Sequence, residues 1–387
     1  MSSNESMVNG LRGRYQARTM EIRDAFHAGA SGAVTIAART KALDELASGL
    51  WAQEVQHDPR LADGVSLVAV GGYGRAELFP YSDVDLLFLL DGRLAEKDVK
   101  DAIRRVTQEM WDSGIRVSPV TRRLAECERF DGENAEFAIA LMDRRLITGD
   151  LALYKKLATQ TIPKMLQREH QSLMAGLTGL TRARHAKYGD TLFHLEPNIK
   201  DCPGGLRDIH VCNWMAALRE IGPEAQKPMV GERGDDHEFR QAVEFLSLVR
   251  CFLHYRHGRD DNLLDWQAQD MAAEAGIGIG IAVGAPANAD AAYWMRFYFR
   301  HARRIERRVA RIMDEAPMDK PRLKLLGLRR ERRTEPSQQG FRVERGRVAL
   351  DALITDALIT DGGRGVAHDP AQDPDVVLDV FEAMART

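Results

Sequence analysis

The sequence predicts an α+β fold: a small sheet-containing head, flanked by N-terminal helices and followed by a larger all-helical region. Three observations carry this. Strand-like runs cluster between about residues 65 and 122. Helical spacing of apolar residues dominates before that window and again from Glu133 onward. The two kinds of element are segregated along the chain rather than alternating, which separates α+β from a parallel βαβ architecture. The 387 residues then divide into N-terminal helices (1–60), a head (61–150), a helical region (151–315), and a basic connector with a C-terminal tail (316–387).

Each element has its own signal. Residues from about 8 to 55 read as helices, and "TKALDELASGLWAQEV" sets Leu43, Leu46, Leu50 and Trp51 at helical spacing. "GVSLVAV" is a short strand ending at Gly71. "DVDLLFLL" is a second strand, apolar on both faces after Asp85, as expected of a central strand covered on both sides. "EKDVKDAIRRVTQEMWDSG" is a helix stopped by Gly114. "IRVSPVTRR" is a third, weaker strand, and Pro119, which has no N–H to donate, argues for an edge position or an early end. Beyond Glu133, "EFAIALMDRRLI", "LALYKKLATQTIPKMLQREHQSL" and "EFRQAVEFLSLVRCFLHYRHG" read as helices. "GIGIGIAVGAPANADAA" (Gly276 to Ala292) is expected to be a flexible loop, and "DKPRLKLLGLRRERRTEPSQQG" a basic connector. "DALITDALITD" (Asp351 to Asp361) is a tandem duplication of five residues, read as a local accident.

Composition narrows the class of function. An apolar fraction of 44% is enough to bury a real core. A net charge of −3 argues against a broadly basic nucleic-acid surface. Cys127, Cys202, Cys212 and Cys251 are sparse and unpatterned, which fits reduced thiols better than a disulfide framework. With His210 and His254 they match no standard zinc spacing, so they are read as structural. There is no apolar run long enough to span a membrane, and "MSSNESMVNGLRGRYQ" has no apolar signal core. The expectation is a soluble, cytoplasmic protein without a membrane or nucleic-acid partner.

The chemistry concentrates in "VAVGGYGRAELFPYSDVDLLFLL", Val68 to Leu90. Asp83 and Asp85 sit two residues apart at the mouth of a strand. Residues i and i+2 share a face at a separation of roughly 6–7 Å. Two carboxylates so placed repel unless a cation sits between them, and a hard divalent ion such as Mg²⁺ takes oxygen ligands. Such an ion, bridged by phosphates, suits an in-line phosphoryl or nucleotidyl displacement. Gly71 and Gly72 let backbone N–H groups approach an anion. Arg75 on the same loop and the Ser82 hydroxyl are the candidate phosphate contacts. The stretch is neither a Walker A loop nor a dinucleotide-binding turn, since both spacings are missing.

"GGYGRAELFPYSDVDLL" resembles the head signature of the DNA polymerase β-like nucleotidyltransferases. Three further segments narrow the resemblance to the bacterial PII uridylyltransferase/uridylyl-removing family: "EPNIKDCPGGLRDIH" (Glu196 to His210), "FLHYRHGRDDNLLDWQAQDMAAEAG" (Phe252 to Gly276) and "WMRFYFRHARRI". The resemblance implies a polymerase β-like head with a short mixed sheet. It implies transfer of UMP from UTP to a tyrosine of the PII signalling protein, with release of pyrophosphate and use of Mg²⁺ or Mn²⁺. Carried over, Asp83 and Asp85 would hold metal, and Gly71 and Gly72 would lie over the triphosphate with Ser82. Within "NIKDCPGGLRD", Lys200 or Arg207 would contact nucleotide phosphates, with Asp208 an alternative partner for Arg207.

The match has gaps. The superfamily draws a third acid from a later strand, and "IRVSPVTRR" has none; Glu126, Glu128 and Asp143 are the nearest in sequence. Ser118-Pro119 stands where the family has Gly-His. The family continues into an HD hydrolase domain and two ACT domains, while the His-Asp dipeptide toward the end of this chain, His368-Asp369, lies in a Pro-rich stretch read as a turn. Deuridylylation and ACT-based glutamine sensing are therefore not expected. Two other readings stay open: a related nucleotidyltransferase with another nucleotide or acceptor, and a weakened nucleotide-binding regulatory module.

Overall fold

Helix α1 (Ser3–His27) packs against α2 (Gly32–His57), whose first turn is capped by Ser31 accepting from the Val34 N–H. The computed structural model describes residues 3–94, 96–130, 135–221, 232–279, 290–315, 341–344 and 347–350. Next come β1 (Val65–Ala69), a single turn of helix α3 (Gly71–Gly74), β2 (Val84–Leu90) and α4 (Glu96–Asp112). They are followed by β3 (Val117–Arg123), α5 (Leu124–Cys127), α6 (Ala135–Met142) and β4 (Arg145–Gly149). The four strands form one mixed sheet in the order β3-β2-β1-β4. Strand β1 is antiparallel to β2 and β4, and β2 is parallel to β3. The α+β reading holds.

The sheet is buried on both faces, which explains the unbroken apolar run of β2. Leu67 and Ala69 of β1 and Leu86, Phe88 and Leu90 of β2 pack with Leu43, Leu46, Leu50 and Trp51 of α2 and with α4. Val68, Val70, Leu87 and Leu89 face the other way, into the helical region. Burial of one such side chain contributes about 1.5–3 kcal/mol. Asp85 is the one exposed residue of β2 and shares the face of Leu87 and Leu89. As expected, β2 is central and β3, with Pro119, is at the edge.

Strand β4 corrects the sequence reading, which ran a helix through "EFAIALMDRRLI". The helix stops at Met142, and Arg145–Gly149 pairs with β1 across a register shift at Leu67/Val68. Every residue of β4 is half-buried, so it carries no alternation of apolar and polar positions. The next helical segment is also broken. It forms α7 (Leu151–Lys156), a π-helical turn (Leu157–Thr161), α8 (Ile162–Arg168) and α9 (His170–Lys187). The break falls where Pro163, in the first turn of α8, has no N–H for an i→i−4 bond.

The remaining helices are α10 (Leu206–Ile221), α11 (Glu232–His257), α12 (Trp266–Glu274) and α13 (Ala291–Glu315). The chain separates into a unit of Met1–Asp319 and a second of Lys320–Thr387. In the second, the described residues form an antiparallel hairpin of β5 (Phe341–Glu344) and β6 (Arg347–Leu350), which the sequence reading missed. Residues 280–289 of the Gly/Ala-rich stretch, the connector up to residue 340, the "DALIT" duplication and His368-Asp369 lie outside the described residues.

Candidate active site

A cleft of about 850 Å³ opens between the Asp85 face of the sheet and helices α6, α9 and α10. From the head it is lined by Gly71, Gly72, Arg75, Asp85, Ser118 and Glu136, and from the helical region by Arg184, Lys187, Arg207 and His210, among others. Five of the eight residues expected from the sequence thus share one wall system: Gly71, Gly72, Arg75, Asp85 and Arg207.

Gly71 is required twice over. Its φ is +58°, and a Cβ there would stand 3.1 Å from Asp85 Oδ2. The α3 turn therefore lies directly against the carboxylate, with its first N–H groups unused by the helix. Gly74 was not singled out in the sequence, yet a Cβ there would fall 1.8 Å from the Asp143 carbonyl oxygen.

The Asp85 carboxylate has no hydrogen bond or ion pair among the described residues; its backbone carbonyl accepts from the Val70 N–H. Burial raises its pKa, and the charge of Asp83 raises it further, against the opposing pull of Lys200 and Arg75. Asp83 is more exposed and pairs with Arg116, Nε to Oδ1 at 2.9 Å. A divalent cation shared by the two carboxylates would remove their repulsion, so this pair fits a hard oxygen-seeking ion. No third acid joins them: among the described residues, no three His, Cys, Asp or Glu side chains gather to hold a metal.

The three acids named from the sequence are engaged elsewhere. Glu126 accepts from the Arg123 N–H, Glu128 pairs with Lys164, and Asp143 pairs with Arg75. In the register of β2 and β3, the residue beside Asp85 is Ser118. Besides Asp85, the acids that reach the cleft wall are Asp201, which pairs with Arg207, and Glu136 on α6, which nothing in the local sequence marks.

Arg75 departs from its expected role. Its guanidinium is committed, Nε to Glu77 at 2.7 Å and Nη1 to Asp143 at 2.5 Å, and it lies 5.8 Å over the Trp214 ring. Trp214 Nε1 donates to Asp143 at 2.7 Å, and His210 Nε2 lies 3.0 Å from Glu77. His210 and Trp214 are four apart on α10 and so share a face. Burial pushes the pKa of His210 down to about 4, leaving a neutral ring at pH 7. Its Nε2–H then donates to Glu77, and Nδ1 accepts from Arg75 at 3.4 Å. The Arg75 cluster is a buried fastening between head and helical region rather than a free phosphate contact.

Ser82 is not brought to the cleft either. It lines a separate hollow, and its hydroxyl is buried without a partner. Lys200 does not line the cleft but is near enough to influence Asp85; it lies 4.0 Å from Asp260, and burial lowers its pKa. The loop carrying it is tightly built. Asn198 Oδ1 accepts from the N–H groups of Lys200 and Asp201, and a Cβ at Gly205 would come within 2.8 Å of two carbonyl oxygens. Arg207 pairs with Asp201 at 3.4 Å, not with Asp208. Asp208 is fully buried and binds Arg184, His185 and the Gly204 N–H.

Residues 164–313 match the family described as GlnD PII-uridylyltransferase. The chain is 33% identical over 304 residues to a bifunctional uridylyltransferase/uridylyl-removing enzyme of Methylococcus capsulatus, covering 78% of this chain and 34% of that protein. It is 35% identical over 253 residues to the enzyme of that name from Ralstonia nicotianae, 64% of this chain and 28% of the relative. With that of Phenylobacterium zucineum the identity is 28% over 368 residues, 91% of this chain and 38% of the relative. The chain thus spans about a third of the length of these relatives. The motifs flanking the cleft, the match over α8 to α13 and these relatives agree: residues 164–313 match the GlnD PII-uridylyltransferase family, and the chain is similar to bifunctional uridylyltransferase/uridylyl-removing enzymes over about a third of their length.

Proposed function

We propose that the chain is a metal-dependent nucleotidyltransferase that moves UMP from UTP to a tyrosine of the PII signalling protein, in the cytoplasm, as part of nitrogen regulation. The observation that carries this is Asp85: a carboxylate with no partner among the described residues, raised by burial and by Asp83, set against a glycine turn at the wall of a cleft that would hold a nucleotide. Asp83 and Asp85 would hold Mg²⁺ or Mn²⁺, which when bound offsets triphosphate charge. The N–H groups of Gly71 and Gly72 face the phosphates. Arg207 and Lys187 add positive charge from the opposite wall. Glu136, which lines the cleft and has no ion pair among the described residues, would take the proton of the incoming hydroxyl.

The test uses labelled UTP, Mg²⁺ and a PII protein. Label is expected on a PII tyrosine, and Asp85→Asn is expected to lower the rate by about 10²–10³-fold, the usual cost of losing one charge-stabilising group. Preferential transfer from ATP or CTP would replace UTP with another nucleotide. A second reading is favoured by the Asp83–Arg116 pair and the absence of a gathered third acid: a module that binds nucleotide without transfer. UTP binding with no label on PII would establish it.

A further inference from the structure

A second hollow, of about 350 Å³, is lined by Ser82 and Val84, which flank Asp83 in sequence, and by Arg116, the partner of Asp83. That volume is within the range of small-molecule sites, roughly 300–1,000 Å³. Arg23, Arg39, Arg116 and Arg259 all line it, and among the described residues no acid does. Three polar atoms at its wall are buried without hydrogen bonds of ordinary geometry: Ser82 Oγ, Tyr255 Oη and Arg39 Nε. Arg39 lies beside Tyr255, and its charge offsets part of the rise that burial imposes on the phenol. Leaving a buried polar group unmet costs about 1–3 kcal/mol; Arg39 and Tyr255 reach one another, so the Ser82 hydroxyl is the group at this wall that a bound anion would satisfy. Guanidinium groups supply the donors that phosphate oxygens take, often two at a time. Arg23, Arg116 and Arg259 pair with Asp24, Asp83 and Asp261, so a phosphate there would share or displace those carboxylates, while Arg39 has no ion pair among the described residues.

The hollow is also wired to the candidate active site. Arg116 holds Asp83 through Nε and donates from Nη2 to the Tyr81 carbonyl oxygen at 2.6 Å. An anion in the hollow competes with Asp83 for the same guanidinium.

We propose that this hollow is a second site, binding a small phosphate-bearing anion, and that its occupant draws Arg116 away from Asp83. Binding itself stands on the hollow alone. Its consequence for catalysis, a carboxylate released to the cation side, rests on the nucleotidyltransferase reading.

The probe is inorganic pyrophosphate, titrated calorimetrically into the full chain without divalent cation, so that neither UTP nor transfer enters the measurement. Saturable binding is expected. Arg259→Gln, at a well-exposed side chain, should weaken it about tenfold, and Ser82→Ala about fivefold, the cost of one charged and one neutral hydrogen bond. Arg207→Gln, on the cleft wall, should leave it within twofold. Asp83→Asn should tighten it, and that gain should vanish in the Arg116→Met background, a double-mutant cycle that general electrostatics would not close. Three results overturn the proposal: no binding, a loss in Arg207→Gln equal to that in Arg259→Gln, or a gain from Asp83→Asn that survives without Arg116. Circular dichroism of each variant confirms that it is folded.

Discussion

Two arginines show how little a residue's type says about its job. Arg75 sits in the glycine loop, where a phosphate contact is the natural expectation, yet its side chain is 16% exposed and already holds two carboxylates. Removing one member of a buried ion pair leaves the others uncompensated, at about 3–5 kcal/mol when burial is complete. Glu77 is a third exposed, so about 2–3 kcal/mol is expected for Arg75→Met. The measurement is urea denaturation alongside the KM for UTP: stability should fall while KM moves little. A large KM change at unchanged stability would return Arg75 to the phosphates. Arg116, by contrast, attracted no notice in sequence and proves to be the partner of Asp83.

At the scale of elements, the α3 turn is fixed by close approach. Gly74→Ala would drive a Cβ into the Asp143 carbonyl, and backbone must move to relieve it. The expected cost is about 3 kcal/mol, the upper end of overpacking, read as a lower denaturation midpoint at unchanged m-value. The order of elements around this turn was legible in the sequence because each signal there is local. Gly71 ends a strand, Asp85 interrupts an apolar run, and Pro119 demotes a strand to an edge. Strand β4 was not legible: its five half-buried residues follow α6 without a helix stop, and its identity comes from pairing with β1, about 80 residues earlier. The same holds for the site. Asp85 and the two glycines announce themselves by spacing, whereas Glu136 and Lys187 reach the cleft only because α6 and α9 pack over the sheet. Ser82, adjacent to Asp83 in sequence, points into a different hollow, since adjacent residues of an extended segment face opposite ways.

For the molecule as a whole, buried histidines set the response to acid. His210 and His301 both have pKa values pushed down to about 4, first by burial, against about 6.5 when unfolded. Between those values the unfolded chain binds the extra proton, so stability falls as pH drops from 6.5 toward 4. For His210 alone this amounts to about 3 kcal/mol, at about 1.4 kcal/mol per pKa unit. Glu77 adds a lower window. Burial alone would raise its pKa, but the hydrogen bond from His210 and the pairing with Arg75 bring it to about 2, so its contribution is lost as pH falls below about 4.5. Urea midpoints measured from pH 7 to 4 should decline steadily, and His210→Gln should flatten that decline.

The fastening of Arg75, Glu77 and Asp143 to His210 and Trp214 also decides what can be exchanged. A head spliced onto a foreign helical region brings three charged groups whose indole and imidazole partners must already be waiting on the recipient. Chimeras between relatives should therefore succeed or fail on the match at these five positions, and the two regions should pass between lineages as a pair rather than as interchangeable parts.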